Sequence, residues 1–279
     1  MQYLFIGNRF SVLEHMLEQE LDITNILIPE HAYVQGALDA RALPYRIVRS
    51  KAEAIDAIAH VTFDVLVSNG CPYILPVSSL AKPHQRFVNI HPSALPDLKG
   101  IHPINGALLF GRPAGAACHV MDDSIDGGPL ISRTEIPLTP DIDLARLYTL
   151  SFKAERDVFA AALVRDFVPD TSLNAPRPDA VYYTRKAADL KLDFNEATDA
   201  FIRRVRAFGI PSQGAYFTYA GADFKVMKAT PATHSGAHMN GEIVAIDGDS
   251  IIVRKAEGYL MLSGIIGNIS ALAVGVVLR

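Results

Sequence analysis

The 279-residue chain contains no tryptophan and only two cysteines, Cys71 and Cys118. Two thiols cannot build a multi-bridge disulfide framework or a four-thiolate zinc site, so the fold has to rest on its core, and a reducing cytoplasm is the expected home. A basic excess is also missing: 26 Lys plus Arg stand against 30 Asp plus Glu, for a net charge of -4. That balance argues against nucleic acid as the main partner. No G-x-G-x-x-G follows the first apolar run, and the acid expected at the end of the second is at best Glu30, which argues against a nicotinamide dinucleotide site. The N-terminus, MQYLFIGNRF, has no cationic segment before its apolar residues and reads as a first strand, not a signal peptide. Charge is absent altogether from Tyr259 to Leu278, about a transmembrane length. Gly264, Gly267, Asn268 and Ser270 in its middle, and the hairpin-like IVAIDGDSIIVRKAEGYLML leading into it, predict strands or a buried terminal element and no membrane association.

What is present is ample apolar material, 49% of residues against 20% charged, enough for one large domain or two modest ones. Short β-branched runs alternate with helical patterns: QYLFIG, then 9–19; DITNILI, then 31–41; YRIV, then 51–60; FDVLVSNG, a loop, and FVNIH. Alternation of that length predicts right-handed βαβ units in a Rossmann-like, mostly parallel sheet with helices on both faces. A helix is expected at 104–110, strands at 116–121 and 129–136, and a long amphipathic helix at 144–167. Periodicity is lost in VPDTSLNAPRPDAVYYTR, where Pro169, Pro176 and Pro178 would stop any helix. This divides the chain into a catalytic domain at 1–167, a linker at 168–191 and a small β-rich domain at 192–279, for which a partly open barrel is expected.

The residues from Phe87 to Leu130 carry the chemistry. Asn89 and His91 lie two apart at the end of an expected strand, so their side chains point the same way, into the crevice at the carboxyl edge of the sheet. Asp126 follows another strand and precedes Gly127 and Gly128, which would let the backbone turn beside a ligand. An amide, an imidazole and a carboxylate converging in one cleft suit acyl transfer: oxyanion donors, a proton shuttle, and an acid that orients and tunes it. The bland alternative makes Asn89 a strand-end turn residue, His91 a satisfied histidine and Asp126 a turn cap. His84, His102 and His119 lack ligand spacing and read as structural or peripheral; no metal is implied.

The order and spacing in NIHPSALPDLKGIHPINGAL and HVMDDSIDGGPLI resemble the core of the folate-dependent formyltransferases. That family includes methionyl-tRNA formyltransferase, glycinamide ribonucleotide transformylase and the sugar N-formyltransferases. Lys99 stands where the methionyl-tRNA enzymes usually carry Arg. SNGCPYILP, at 68–76, is similar to the family loop whose backbone lines the folate pocket, and LDFNEATDAFIRRVRAFGIPSQGAYF, at 192–217, to the start of the C-terminal domain. The resemblance implies N10-formyltetrahydrofolate as formyl donor, with Cys71, Tyr73, Ile74, Leu75, Asp122 and Gly127 around it. It further implies that Asn89 and His91 hold the oxyanion while Asp126 orients His91 and favours its protonated form. Arg9, His102 and Asn105 are the candidate substrate contacts, and a homodimer is compatible with the family.

Two features bear on the acceptor. The methionyl-tRNA enzymes carry a long basic insertion after the second strand, where this chain has only PEHAYVQGALDARALPY. The glycinamide ribonucleotide enzyme has a Gly-rich loop after strand one, where this chain has GNRFS, and lacks the extra C-terminal domain. A nucleotide-linked amino sugar is therefore the expected small-molecule partner, with methionyl-tRNA formylation or a non-catalytic nucleotide- or sugar-binding module as alternatives.

Overall fold

A computed structural model describes residues 1–175 and 177–279; Pro176 lies outside the described residues. The chain divides into two compact units, each assembled from separated segments. The first comprises Met1–Gly100, Pro113–Pro137 and Thr149–Tyr182; the second comprises Ile101–Arg112, Leu138–Tyr148 and Tyr183–Arg279.

The first unit is built on a seven-stranded sheet. In chain order the elements are β1 (Gln2–Gly7), α1 (Phe10–Glu18), β2 (Asp22–Pro29), α2 (Gln35–Ala40), β3 (Arg46–Val48), α3 (Lys51–Ala59), β4 (Val65–Asn69), the short α4 (Val77–Leu80) and β5 (Arg86–His91). After α5 (Pro103–Phe110), which groups with the second unit, follow β6 (Ala114–Val120), β7 (Leu130–Ile136) and the long α6 (Leu144–Val164), which groups with the first unit from Thr149 onward. The strand order is β3-β2-β1-β4-β5-β6-β7. The first five strands run parallel, and β6 and β7 extend the sheet antiparallel. Strand order reverses between β1 and β4, the place where such sheets leave a crevice at their carboxyl ends.

Alternation along the central strands sends one set of residues to each face. Phe5, Val67 and Val88 join Val12, Leu13 and Phe159 on one side, while Leu4, Leu66 and Phe87 join Ala54, Ile58 and Phe63 on the other. The sheet is thus covered on both sides, as a parallel sheet requires.

The helix expected at 31–41 shrinks to α2. His31 takes a left-handed backbone conformation (φ 58°), so the chain turns there and helix begins only after Val34. The stretch expected as a linker is largely tied down. The Asp170 N–H donates to Leu130 O at 2.8 Å and the Lys99 N–H to Val181 O at 3.1 Å, with a bridge between Lys99 and Tyr182. Its residues up to Tyr182 therefore group with the first unit.

The second unit contains α5, α7 (Thr198–Phe208), a hairpin of β8 (Ala215–Tyr219) and β9 (Ala222–Val226), and an antiparallel sheet in the order β10-β13-β12-β11. These strands are β10 (Lys228–Ala232), β11 (Ile243–Asp247), β12 (Ser250–Lys255) and β13 (Gly258–Ser263). Sequence pattern did not announce β10, because Pro231 interrupts it; the strand tolerates the proline because it sits at the sheet edge. Phe194, Phe201, Phe217 and Phe224 form the aromatic centre of the unit, the last two stacked at 5.1 Å. The uncharged segment from Tyr259 supplies β13 and a short 3₁₀ turn at Ile269–Ala271. Among the described residues no helix is long and apolar enough to cross a membrane.

Candidate active site

Asn89 and His91 occupy the carboxyl end of β5. Parallel pairing places Ser68 of β4 beside Asn89, and antiparallel pairing places His119 of β6 on its other flank. The hydrogen bonds fix the orientation of the amide. Ser68 Oγ donates to Asn89 Oδ1 at 2.9 Å, while Asn89 Nδ2 lies 3.2 Å from His119 Nε2 and 3.5 Å from Asp126 Oδ1. The Ser68 hydroxyl on one side and the Asp126 carboxylate on the other leave one sensible assignment, with the NH₂ group facing Asp126. His119 Nδ1 is bonded to the Val120 carbonyl at 2.8 Å, so that nitrogen carries a proton.

His91 is buried, and its Nε2 donates to Leu98 O at 3.0 Å. Its Nδ1 faces Asp126 Oδ1 at 3.5 Å, and His119 Nε2 lies 3.7 Å from the same oxygen. The Asp126 carboxylate is held from behind by the Gly100 N–H, which donates to Oδ2 at 2.9 Å. The amide, both imidazoles and the carboxylate are therefore one cluster, not three separate turn residues.

Burial pushes the His91 ring below the ordinary histidine value, against the opposing pulls of Asp126 and the Leu98 carbonyl. Asp126 acts in the expected direction, towards the charged ring, while desolvation is the larger effect and works the other way. For Asp126 burial works to raise the pKa, yet His91, the His119 ring and the Gly100 N–H prevail and lower it to about 2. A carboxylate depressed in the folded state contributes stability above its unfolded pKa, and that contribution is lost as pH falls through the folded value. Replacing Asp126 with Asn should therefore lower stability by a constant amount near neutral pH. In chemical denaturation the gap to the parent protein should close between about pH 4 and about pH 2.

The glycines after Asp126 work differently from the sequence expectation. The left-handed residue is Asp126 itself (φ 47°). Gly128 is required by close packing, since a Cβ there would sit 1.9 Å from Val120 O. Gly128→Ala should destabilise the fold by about 1–3 kcal/mol, as overpacking against backbone does. A denaturation midpoint equal to the parent's would refute this.

The remaining candidates are placed as follows. Cys71 is half-buried with its thiol raised to about 11 by burial, and its Sγ lies 3.7 Å from Tyr73 O. Tyr73 donates its hydroxyl to Val48 O at 3.1 Å; Ile74 is exposed and Leu75 buried. Asp122 accepts from the Ser124 N–H at 2.9 Å and from the Ser124 hydroxyl. Gly127 packs against Ser124, where a Cβ would meet Oγ at 2.3 Å. Arg9 pairs with the buried Glu155 and lies over the Phe152 ring at 5.2 Å. It also lies against Gly70, at the end of β4, where a Cβ would come 3.3 Å from its Cγ.

His102 and Asn105 have their partners within the second unit. His102 Nδ1 accepts from the Arg185 N–H at 3.2 Å. Asn105 donates to Ala207 O at 2.6 Å and to Gln213 Oε1 at 2.8 Å, and accepts from the Tyr148 hydroxyl at 3.3 Å. Among the described residues there is no group of three or more His, Cys, Asp or Glu suited to a metal ion.

Residues 25–163 match the family model for formyl transferase, and 185–268 match that for the formyl transferase C-terminal domain. The chain is 32% identical over 216 residues to the methionyl-tRNA formyltransferase of Burkholderia multivorans, a match covering 76% of this chain and 66% of that protein. It is 30% identical over 243 residues to the corresponding enzyme of Thermus thermophilus, covering 85% and 77%. Among solved structures it is similar to WlaRD, a sugar 3N-formyl transferase determined in the presence of dTDP and 5-N-formyl-THF. The TM-score is 0.71 at 17% identity, over 96% of this chain and 98% of that one. With two family modules matched one after the other and 30% identity to an enzyme covered over 77% of its length, the chain belongs to the formyl transferase family and is a formyltransferase.

Proposed function

We propose that this protein moves a formyl group from N10-formyltetrahydrofolate to the primary amine of a nucleotide-linked amino sugar. The observation that carries the acceptor assignment is the connection from β2 to α2. It consists only of residues 30–34, EHAYV, with no lysine or arginine, where a tRNA-binding insertion would need both length and positive charge. The net charge of -4 and the likeness in fold to a sugar formyl transferase crystallised with dTDP support the same reading. Methionyl-tRNA is the second reading, favoured by the names of the sequence relatives.

The donor supplies an activated formyl carbon, and the backbone of residues 71–75, which follow β4, would hold its ring system. As the acceptor nitrogen bonds to that carbon, electrons move onto the formyl oxygen, and Asn89 Nδ2 turns one N–H from its long contact with Asp126 to that oxygen. Such a donor, aimed at developing charge in a dry site, is worth several kcal/mol. His91 Nδ1, the open nitrogen of a ring held by Leu98 O, takes the proton that the nitrogen must lose, and Asp126 stabilises the imidazolium. When the bond to the folate nitrogen breaks, the electron pair leaves on that nitrogen and the same proton is returned to it.

The test is steady-state formyl transfer by the purified protein with N10-formyltetrahydrofolate and a panel of nucleotide-linked amino sugars. Saturable formylation of at least one member is expected. A panel that stays inert while methionyl-tRNA is formylated would move the assignment to the second reading.

A further inference from the structure

The two groups that orient His91 and Asp126 are backbone atoms of one loop: Leu98 O on His91 Nε2, and the Gly100 N–H on Asp126 Oδ2. That loop is held in an unusual conformation, because Leu98 has a φ of 57°, in the left-handed region that side-chain-bearing residues seldom adopt. Something must over-determine it, and the neighbouring Asp97 does so. Its carboxylate is fully buried; Oδ1 accepts both the Leu98 N–H at 2.9 Å and the Val181 N–H at 2.8 Å, and Oδ2 faces Arg177 Nη2 at 3.6 Å. Ser93 Oγ closes the loop from the other side onto Asp97 O at 2.8 Å, and the Lys99 N–H bonds to Val181 O.

We propose that Asp97, gripping the strap of residues 177–182, is a positioning residue for formyl transfer that sets the orientation of His91 and Asp126 through Leu98 O and the Gly100 N–H. The proposal rests on the assignment of His91 and Asp126 as the proton-transferring pair. Oδ1 ties the N–H of the residue whose carbonyl holds the His91 ring to the Val181 N–H of the strap. Here the left-handed turn, the ring and the strap share one acceptor. Loosening it displaces the Leu98 carbonyl, and small displacements of reacting groups are costly in rate.

The test uses the full-length protein with ¹⁵N-labelled histidine and three variants, Asp97→Asn, Arg177→Ala and Arg177→Lys. The ring is faced by Asp126, His119, the Leu98 carbonyl and, at longer range, Arg9, so its titration reports on this cluster. Asp97→Asn and Arg177→Ala should shift the His91 ring resonances. They should also move its titration midpoint to lower pH, because the withdrawn carbonyl no longer favours the charged ring. They should lower kcat by about 10- to 100-fold with KM for both substrates within about twofold, and Arg177→Lys should restore both readouts. If Asp97→Asn does not fold, Arg177→Ala decides alone, since its side chain is partly solvent-exposed. Unchanged ring resonances and kcat in a folded variant would overturn the proposal. The resonances can be read whether or not the protein formylates any acceptor, so failure of the functional reading would be seen separately, in the parent protein's lack of turnover.

Discussion

Asn89→Ala and His91→Ala should each lower formyl transfer at least about a hundredfold while leaving the protein folded, the scale measured when one oxyanion donor is removed elsewhere. The two variants should fail for different reasons. Without Asn89 the formyl oxygen loses the amide proposed to donate to it, and the Ser68 and His119 groups that orient that amide have nothing left to hold. Without His91 the proton of the attacking nitrogen has no acceptor beside Asp126, so the loss should depend on pH in a way that the Asn89 loss does not. Both residues stand at the end of β5, and neither supplies apolar packing to the sheet, so near-ultraviolet circular dichroism should match the parent's. Near-normal turnover in either variant would remove that residue from the mechanism.

The second large effect concerns the acceptor and its dependence on salt. An aminoacylated tRNA would have to be bound through several phosphates, releasing condensed counterions, and its affinity would fall steeply as salt rises. A nucleotide sugar carries a diphosphate and should show a much shallower dependence. With residues 30–34 free of lysine and arginine and an overall charge of -4, we expect the shallow dependence with a nucleotide-linked amino sugar and no saturable formylation of methionyl-tRNA. Efficient, salt-sensitive formylation of methionyl-tRNA would reverse that conclusion while leaving Asn89, His91 and Asp126 in their roles.

How much of this was legible in the sequence depends on the kind of group involved. The βαβ alternation and the N-x-H spacing are read directly, because strand periodicity alone puts Asn89 and His91 on one side. His119, lacking ligand spacing, reads as structural or peripheral, and its place beside Asn89 appears only with the antiparallel register of β5 and β6. Ser68 is similar: it is a polar residue in a fully buried strand, and its meaning appears only with the β4–β5 pairing. Leu98 O and the Gly100 N–H leave no trace in residue type, since every residue but proline offers the same backbone groups. Asp97 sits between them in a stretch that reads as loop, and only the fold brings Val181 to it. The balance between burial and Asp126 at His91 is likewise a property of the packed site, not of the chain.

The most direct test is a single competition experiment. Purified protein is given isotopically labelled N10-formyltetrahydrofolate together with methionyl-tRNA and the panel of nucleotide-linked amino sugars, and the label is located by mass spectrometry. The account predicts label on the amine of a sugar nucleotide, none on the tRNA, and loss of the signal with Asn89→Ala or His91→Ala. Label on the methionyl-tRNA with the sugars untouched would contradict the acceptor assignment, and full labelling by both variants would contradict the mechanism.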